Sequence, residues 1–121
     1  MPNENTNGRE RLLADSIGIY GSFLMAALKP SIPKPIKSKV KIEDDKEHFG
    51  RFGTCTIYEP WIFGIMGREI ARIQVSERTY LGGFNRVDVF DGSLAHIVET
   101  SVSELNKEYG LSLTVNKRYN T

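Results

Sequence analysis

The feature that most constrains the fold is a run of thirteen consecutive uncharged residues, 16 to 28, which ends at Lys29-Pro30. Apolar residues recur through it at steps of three and four, the period of an α-helix. The stripe consists of Leu13, Ile17, Tyr20, Leu24 and Ala27, and Leu12, Ile19 and Phe23 are expected to widen it. We predict a helix from Arg9 to Leu28, because the residue before a proline is pushed out of the helical region.

Three environments are open to such a helix. A membrane-spanning helix needs about 20 apolar residues, and a longer segment here would include Asp15. A helix lying in the membrane interface usually carries lysines and arginines on its polar face, and residues 12–28 of this helix have none. We therefore prefer a helix packed against a protein surface, with the membrane as the weaker alternative.

A second pattern on the same helix predicts self-association. Small residues stand at steps of four, at Ala14, Gly18, Ser22 and Ala26. Glycine inside a helix costs about 1 kcal/mol relative to alanine, and the close approach of another backbone can compensate for that cost. The approaching backbone could belong to the protein's own sheet or to a second copy, and the sequence leaves both open.

The rest of the chain predicts an α+β fold. Prolines make residues 29–39 an extended arm, and residues 36–42 then alternate apolar and lysine, as a strand with one solvated face does. We predict a loop over 43–53 and a strand over 54–59. Gly67-Arg68 is expected to form a type II′ hairpin turn, and a second hairpin is expected to turn near Gly82-Gly83 or Asn85.

A second helix is expected to begin with Ser93 as its N-cap and to end at Gly110. Its apolar face would consist of Leu94, Ile97, Val98, Leu105 and Tyr109. A final short strand follows over 111–115. The predicted order is an N-terminal helix, an antiparallel sheet of four to five strands, a second helix and a final short strand. Residues 1–7 are expected to be a mobile tail, and residues 8–121 a single domain.

The composition indicates a compartment and excludes some partners. The single cysteine, Cys55, excludes an internal disulfide and is expected to be a buried, inert thiol in a strand. The polar N-terminus does not have the layout of a signal peptide, so we expect a cytoplasmic protein of the producing or host cell. The net charge of +1 gives no general attraction to polyanions, although residues 29–41 hold five lysines and no acid.

The sequence gives no positive support for catalysis. No nucleophile elbow or phosphate-binding glycine loop is present, and one cysteine with two histidines is a poor inventory for a metal site. We predict no catalytic residues, no metal and no cofactor. An enzyme whose residues meet only in the fold remains a distant alternative.

Basic residues support a nucleic-acid or nucleotide site. Lys37 and Lys39 lie in the lysine-rich arm and strand, and Arg51 stands among aromatic residues and glycines in HFGRFG, a composition that suits stacking on unpaired bases. Arg72, Arg78 and Arg86 lie in or beside the hairpin strands. They could form a pocket for an anionic ligand, or they could pair across strands with Glu69, Glu77 and Asp88.

Two hypotheses follow. The leading one is a small, non-catalytic binding or assembly protein that self-associates and contacts another macromolecule. We expect such a protein among phage or mobile-element products. The alternative is a nucleic-acid or nucleotide-binding module that uses the lysine arm and the strand arginines.

Overall fold

A computed structural model describes residues 2–45, 50–61, 63, 66–76 and 85–119. It has the predicted α+β architecture in a single small domain. Helix α1 (Pro2–Leu28) leads through a 3-10 turn (Lys29–Ser31) to three strands, β1 (Lys37–Asp45), β2 (Gly50–Pro60) and β3 (Met66–Ser76). Strand β4 (Arg86–Val89), a 3-10 turn (Gly92–Leu94), helix α2 (Ala95–Tyr109) and strand β5 (Thr114–Lys117) complete the chain order.

The five strands form one sheet in the order β1-β2-β3-β4-β5. The first four strands pair antiparallel, whereas β5 pairs parallel with β4 after the crossover through α2. The final short strand is therefore part of the sheet, and the sheet is mixed.

Both helices share one hydrophobic core with a single face of the sheet. Alternate residues of the strands point to that face, and Ile17 and Leu24 of α1 and Val98 and Leu105 of α2 pack there. The strand residues of this core are Cys55, Ile57, Ile70, Ala71, Ile73, Val75, Val87 and Val89. No described helix covers the opposite face.

Helix α1 is longer and less evenly buried than predicted. It begins at Pro2 rather than Arg9; that the first residues form a mobile tail stays a prediction. The expectation that Leu12 and Ile19 widen the core stripe is wrong, because these side chains are 68% and 50% exposed. The helix contacts the sheet with one side only, and both residues lie on the other side.

The strands at the β1–β2 hairpin are longer than predicted. The predicted loop over 43–53 is wrong for residues 43–45 and 50–53, which continue β1 and β2; residues 43–45 pair with residues 50–52, and Gly53 pairs with Ile42. Residues 46–49 lie outside the described part. The proline-rich arm is anchored at two points, because Ile32 and Ile36 are buried.

The turn predicted at Gly67-Arg68 is also wrong. Both residues lie inside β3, and Pro60 pairs with Met66, so the β2–β3 connection runs over residues 61–65. Gly67 instead permits a close approach of two strands, since a Cβ there would lie 2.5 Å from the carbonyl oxygen of Glu59. The predicted turn near Gly82-Gly83 falls outside the described residues; Asn85 is described and immediately precedes β4.

The prediction of Ser93 as the N-cap of the second helix is wrong, because α2 follows Leu94, which makes no side-chain cap. Asp91 caps the 3-10 turn that precedes α2, and its carboxylate accepts hydrogen bonds from the backbone N–H and the hydroxyl of Ser93 at 2.9 and 2.7 Å. The predicted helix end is confirmed. Gly110 has a φ of 65°, and the N–H of Leu111 donates to Asn106 O at 3.0 Å.

Candidate functional site

The side of α1 that faces away from the sheet carries two exposed apolar side chains, with the exposed Asp15 between them. Leu12 and Ile19 stand seven residues apart, which places them on one helix face, and both are largely exposed. Ser22 and Ala26 are exposed near them, while Ala14 and Gly18 are half-buried at the margin. We call this surface, made of Leu12, Ala14, Gly18, Ile19, Ser22 and Ala26, the outer side of α1.

The two glycines of α1 have different surroundings. A Cβ at Gly21 would collide with Sγ of Cys55, so this glycine lets α1 lie close to β2. A Cβ at Gly18 would have no atom within 4 Å. The small-residue pattern therefore does not face the protein's own sheet, and nothing in the described chain accounts for Gly18.

Length and composition alone would let one described helix cross a membrane. The segment is Leu12–Ser31, and 28% of it is buried in the fold. Its buried side chains hold α1 on the sheet.

The sheet face that no described helix covers, which we call the uncovered face, is polar and carries four of the predicted binding residues. Directly paired residues point to the same face of a sheet, so the register defines two rows that cross all five strands. The first row is Lys39, Thr56, Arg72, Asp88 and Asn116, and the second is Lys41, Thr54, Gln74, Arg86 and Thr114. Lys37 lies on the same face opposite Tyr58.

Arg72 and Arg86 meet at one buried carboxylate. Asp88 has no exposed surface, and its oxygens lie 3.5 Å from Nε of Arg72 and 3.6 Å from Nε of Arg86. Asn116 Nδ2 donates a hydrogen bond of 3.0 Å to Asp88 Oδ1. The Arg72 guanidinium lies over the ring of Phe90, 5.3 Å from its centroid. Arg72 and Arg86, two of the three arginines considered for an anionic-ligand pocket, thus lie beside Asp88, which was the cross-strand partner in the alternative interpretation.

Two guanidinium groups share this single carboxylate, so one positive charge is left over. Asp88 Oδ2 and the two Nε atoms are buried and have no hydrogen-bond partner among the described residues. The ion pairs involve Nε, and no hydrogen bond or ion pair within the described chain involves the terminal nitrogens of Arg72 or Arg86.

The other predicted basic residues do not all lie on this face of the sheet. Lys37 and Lys39 are exposed on the uncovered face. Arg51 does not join them, because Gly53, on the same side of β2 as Arg51, faces Ile17 of α1. Arg51 instead lies 3.5 Å from Asp44. Arg78 lies outside the described residues.

A groove that sequence reasoning missed lies around Arg68. One part has a volume of about 630 Å³ and the adjoining part about 500 Å³, and both are lined by Lys34, Glu59 and Arg68. Arg68 donates 2.8 Å hydrogen bonds to Glu59 and to Asp91. These bonds raise the pKa of Arg68, but the two carboxylates also neutralise its charge, so Arg68 offers little to an anion.

Cys55 is buried between β2 and α1, as predicted for an inert thiol. Burial raises the pKa of this thiol, and a hydrogen bond with Ser38 opposes the shift only in part. A raised pKa lowers the thiolate fraction, which is the reactive form. This environment does not activate a nucleophile.

Sequence reasoning missed Asn116, Phe90 and the Arg68 groove. The alternation in residues 86–90 would have placed Arg86, Asp88 and Phe90 on one face. Asn116 could not be found in this way, since its place beside Asp88 depends on the parallel pairing of β5 with β4.

Comparison with protein-family models, with curated proteins and with solved structures found no match for this chain.

Proposed function

We propose that this protein is a non-catalytic binding protein that assembles with a second copy of itself through the outer side of α1. The supporting observation is the combination of exposed Leu12 and Ile19 with a glycine, Gly18, that no described atom approaches. Exposed apolar residues gain free energy when a partner covers them. A glycine at the margin of such a surface lets a second backbone come close.

Burial of the apolar side chains supplies only part of the free energy that a dimer needs. Full burial of a leucine or isoleucine contributes roughly 1.5–3 kcal/mol. Since Leu12 and Ile19 are already partly covered, the four side chains of a dimer would contribute on the order of 5 kcal/mol. Association costs roughly 4–15 kcal/mol in lost freedom. These side chains do not offset that cost alone, so close van der Waals contact of the two helix backbones at Gly18 must supply the rest, and we expect a weak, concentration-dependent dimer.

A second copy suits the outer side of α1 better than a lipid bilayer does. To cross a membrane, α1 would have to leave the sheet and uncover a core that includes Ile17, Leu24 and Leu28. Asp15 is exposed beside Leu12 and Ile19 and lies within the candidate span Leu12–Ser31, and a charged side chain inside a membrane helix is costly. In a water-exposed dimer, Asp15 can remain hydrated.

Light scattering after size exclusion, over a series of protein concentrations without detergent, tests the proposal. We expect the mass to rise from 13.7 kDa toward twice that value with concentration. Gly18→Leu and Ser22→Leu place a large side chain where the second helix must approach, so both variants should remain monomeric. Ser103→Leu makes the same change as Ser22→Leu at an exposed position of α2 and should leave the dimer intact.

A second readout keeps folding separate from assembly. Far-UV circular dichroism should give the same helix content for all three variants, because each changed residue points away from the core. A wild-type mass that stays at 13.7 kDa at millimolar concentration would contradict the proposal. So would a Gly18→Leu variant that dimerises like the wild type.

A further inference from the structure

We propose that the uncovered face of the sheet binds the backbone phosphates of single-stranded nucleic acid. The site consists of Arg72 and Arg86, which share Asp88, together with Lys37 and Lys39 on β1. It lies across the sheet from α1, so it does not depend on self-association.

The buried Asp88 orients the two arginine side chains rather than adding to the stability of the fold. A buried ion pair is often no more stabilising than apolar residues of the same volume. Asp88 is nevertheless fully buried, and its Oδ2 accepts no hydrogen bond from the described residues. Its contacts are to Nε of Arg72 and Arg86. The terminal nitrogens, which form two-pronged bonds with phosphate oxygens, are left unused within the described chain.

The spread of the cations suits a polymer. Lys39 lies on β1 and Arg86 on β4, three strand spacings or about 14 Å apart. One phosphate group cannot contact both, whereas successive phosphates of a strand can. Besides Asp88, this face carries the carboxylates of Glu43, which lies 3.4 Å from Lys41, and of Glu69, which pairs across the strands with Tyr58. The path over Lys39, Arg72 and Arg86 remains positive.

Flat groups on the same face favour unpaired bases over a duplex. The Arg72 guanidinium lies over the Phe90 ring, and its plane offers a surface on which a base can stack. Tyr58 is half-exposed beside Lys37. Aromatic and guanidinium planes next to a cationic track are typical of sites for single strands, because the bases of a duplex are already stacked on one another.

Fluorescence anisotropy of a labelled 20-nucleotide oligo(dT), titrated with protein at several salt concentrations, tests the proposal. Binding to single strands weakens with a slope of about −0.7 in log affinity against log salt for each phosphate contacted. Four cations predict a slope of about −3, or an affinity about 50-fold weaker at 200 mM than at 50 mM salt. Arg72→Gln with Arg86→Gln should halve the slope.

Removing both arginines leaves Asp88 buried without a cation and could unfold the protein. A second variant therefore tests binding without changing the buried groups. Lys37→Gln with Lys39→Gln changes only exposed side chains and should reduce the slope by about 1.4 while the thermal unfolding midpoint stays constant. Lys107→Gln removes an exposed cation from the last turn of α2 and should leave the slope unchanged.

Three results would overturn the proposal: no anisotropy change at 50 mM salt with 100 μM protein, a lysine variant that binds with the wild-type slope, or a 20-base-pair duplex that binds as tightly as the single strand. The Gly18→Leu variant separates this site from assembly. It should bind oligo(dT) with the wild-type slope even when it is monomeric.

Discussion

At the scale of single residues, the two glycines of α1 illustrate how one residue type serves two purposes. The fold itself requires glycine at position 21, because any side chain there would collide with Cys55. Gly18 has space around it and loses about 1 kcal/mol of helix stability relative to alanine. A residue that weakens its own helix without improving the packing is the strongest single indication that α1 has a partner.

This contrast predicts opposite effects of the same substitution. Gly18→Ala should raise the free energy of unfolding by about 1 kcal/mol, since alanine favours the helix and meets no neighbour. Gly21→Ala should lower it by roughly 1–3 kcal/mol, because the new methyl group overpacks the contact with Cys55. Urea unfolding followed by circular dichroism, at concentrations where the protein is monomeric, measures both. Changes of the same sign would contradict the described docking of α1.

The sequence pattern identified several residues of the proposed phosphate-binding face, but it did not show which of them lie on the same face of the sheet. Arg72 and Arg86 were identified from the strand pattern, and Asp88 was named as a candidate partner. Arg51, which was placed in the same binding set, lies on the other face of the sheet, because one residue of register decides which face of a strand a side chain occupies. HFGRFG was interpreted as a loop, where no such alternation applies.

At the scale of elements, Asp91 joins the start of α2 to the sheet. Its carboxylate caps the 3-10 turn through Ser93 and accepts a hydrogen bond from Arg68 of β3. The bonds from Ser93 and then Arg68 lower the pKa of Asp91. A group with a lowered folded pKa stabilises the fold above its unfolded pKa, about 3.9 for aspartate, and loses that effect as the pH falls through the folded value.

Two substitutions separate the cap from the charge. Asp91→Ala removes both and should cost about 1 kcal/mol or more at pH 7. Asp91→Asn retains an acceptor for the cap but loses the ion pair with Arg68, so its cost at pH 7 should be smaller. Urea midpoints at pH 7 and pH 3 check the sign: the difference between wild type and Asp91→Asn should shrink at pH 3. A difference that grows would show that the carboxylate is not held ionised.

Element types were more predictable than the surfaces of the elements. Both helices and the C-terminal glycine of α2 follow from local periodicity and capping, which depend on neighbouring residues. The outer side of α1 was not separable from its core side, because apolar residues surround the helix and periodicity alone does not show which of them meet the sheet. Gly67 was misinterpreted since a glycine that permits a turn and one that permits a close strand contact have the same sequence signature.

At the scale of the whole molecule, the sheet separates two proposed surfaces. The helices pack on one face, and α1 presents its outer side to solvent there. The cations of the other face come from β1, β3 and β4, and β5 completes the support of Asp88 through Asn116. Such a site depends on contacts distant in sequence, so only the cation-bearing strands could be anticipated from the sequence.

Because Gly21 packs against Cys55, the reactivity of this single thiol can report how often α1 separates from β2. A maleimide can alkylate this thiol only while α1 is lifted from β2. The labelling rate therefore measures the opening frequency of the helix rather than the reactivity of the sulfur. We expect labelling to be far slower than that of a free thiol and faster in Gly21→Ala, with mass spectrometry over time as the measurement. Immediate labelling of the wild type would mean that the helix spends its time undocked, while protection retained in the presence of lipid vesicles would show that it does not leave the sheet for a bilayer.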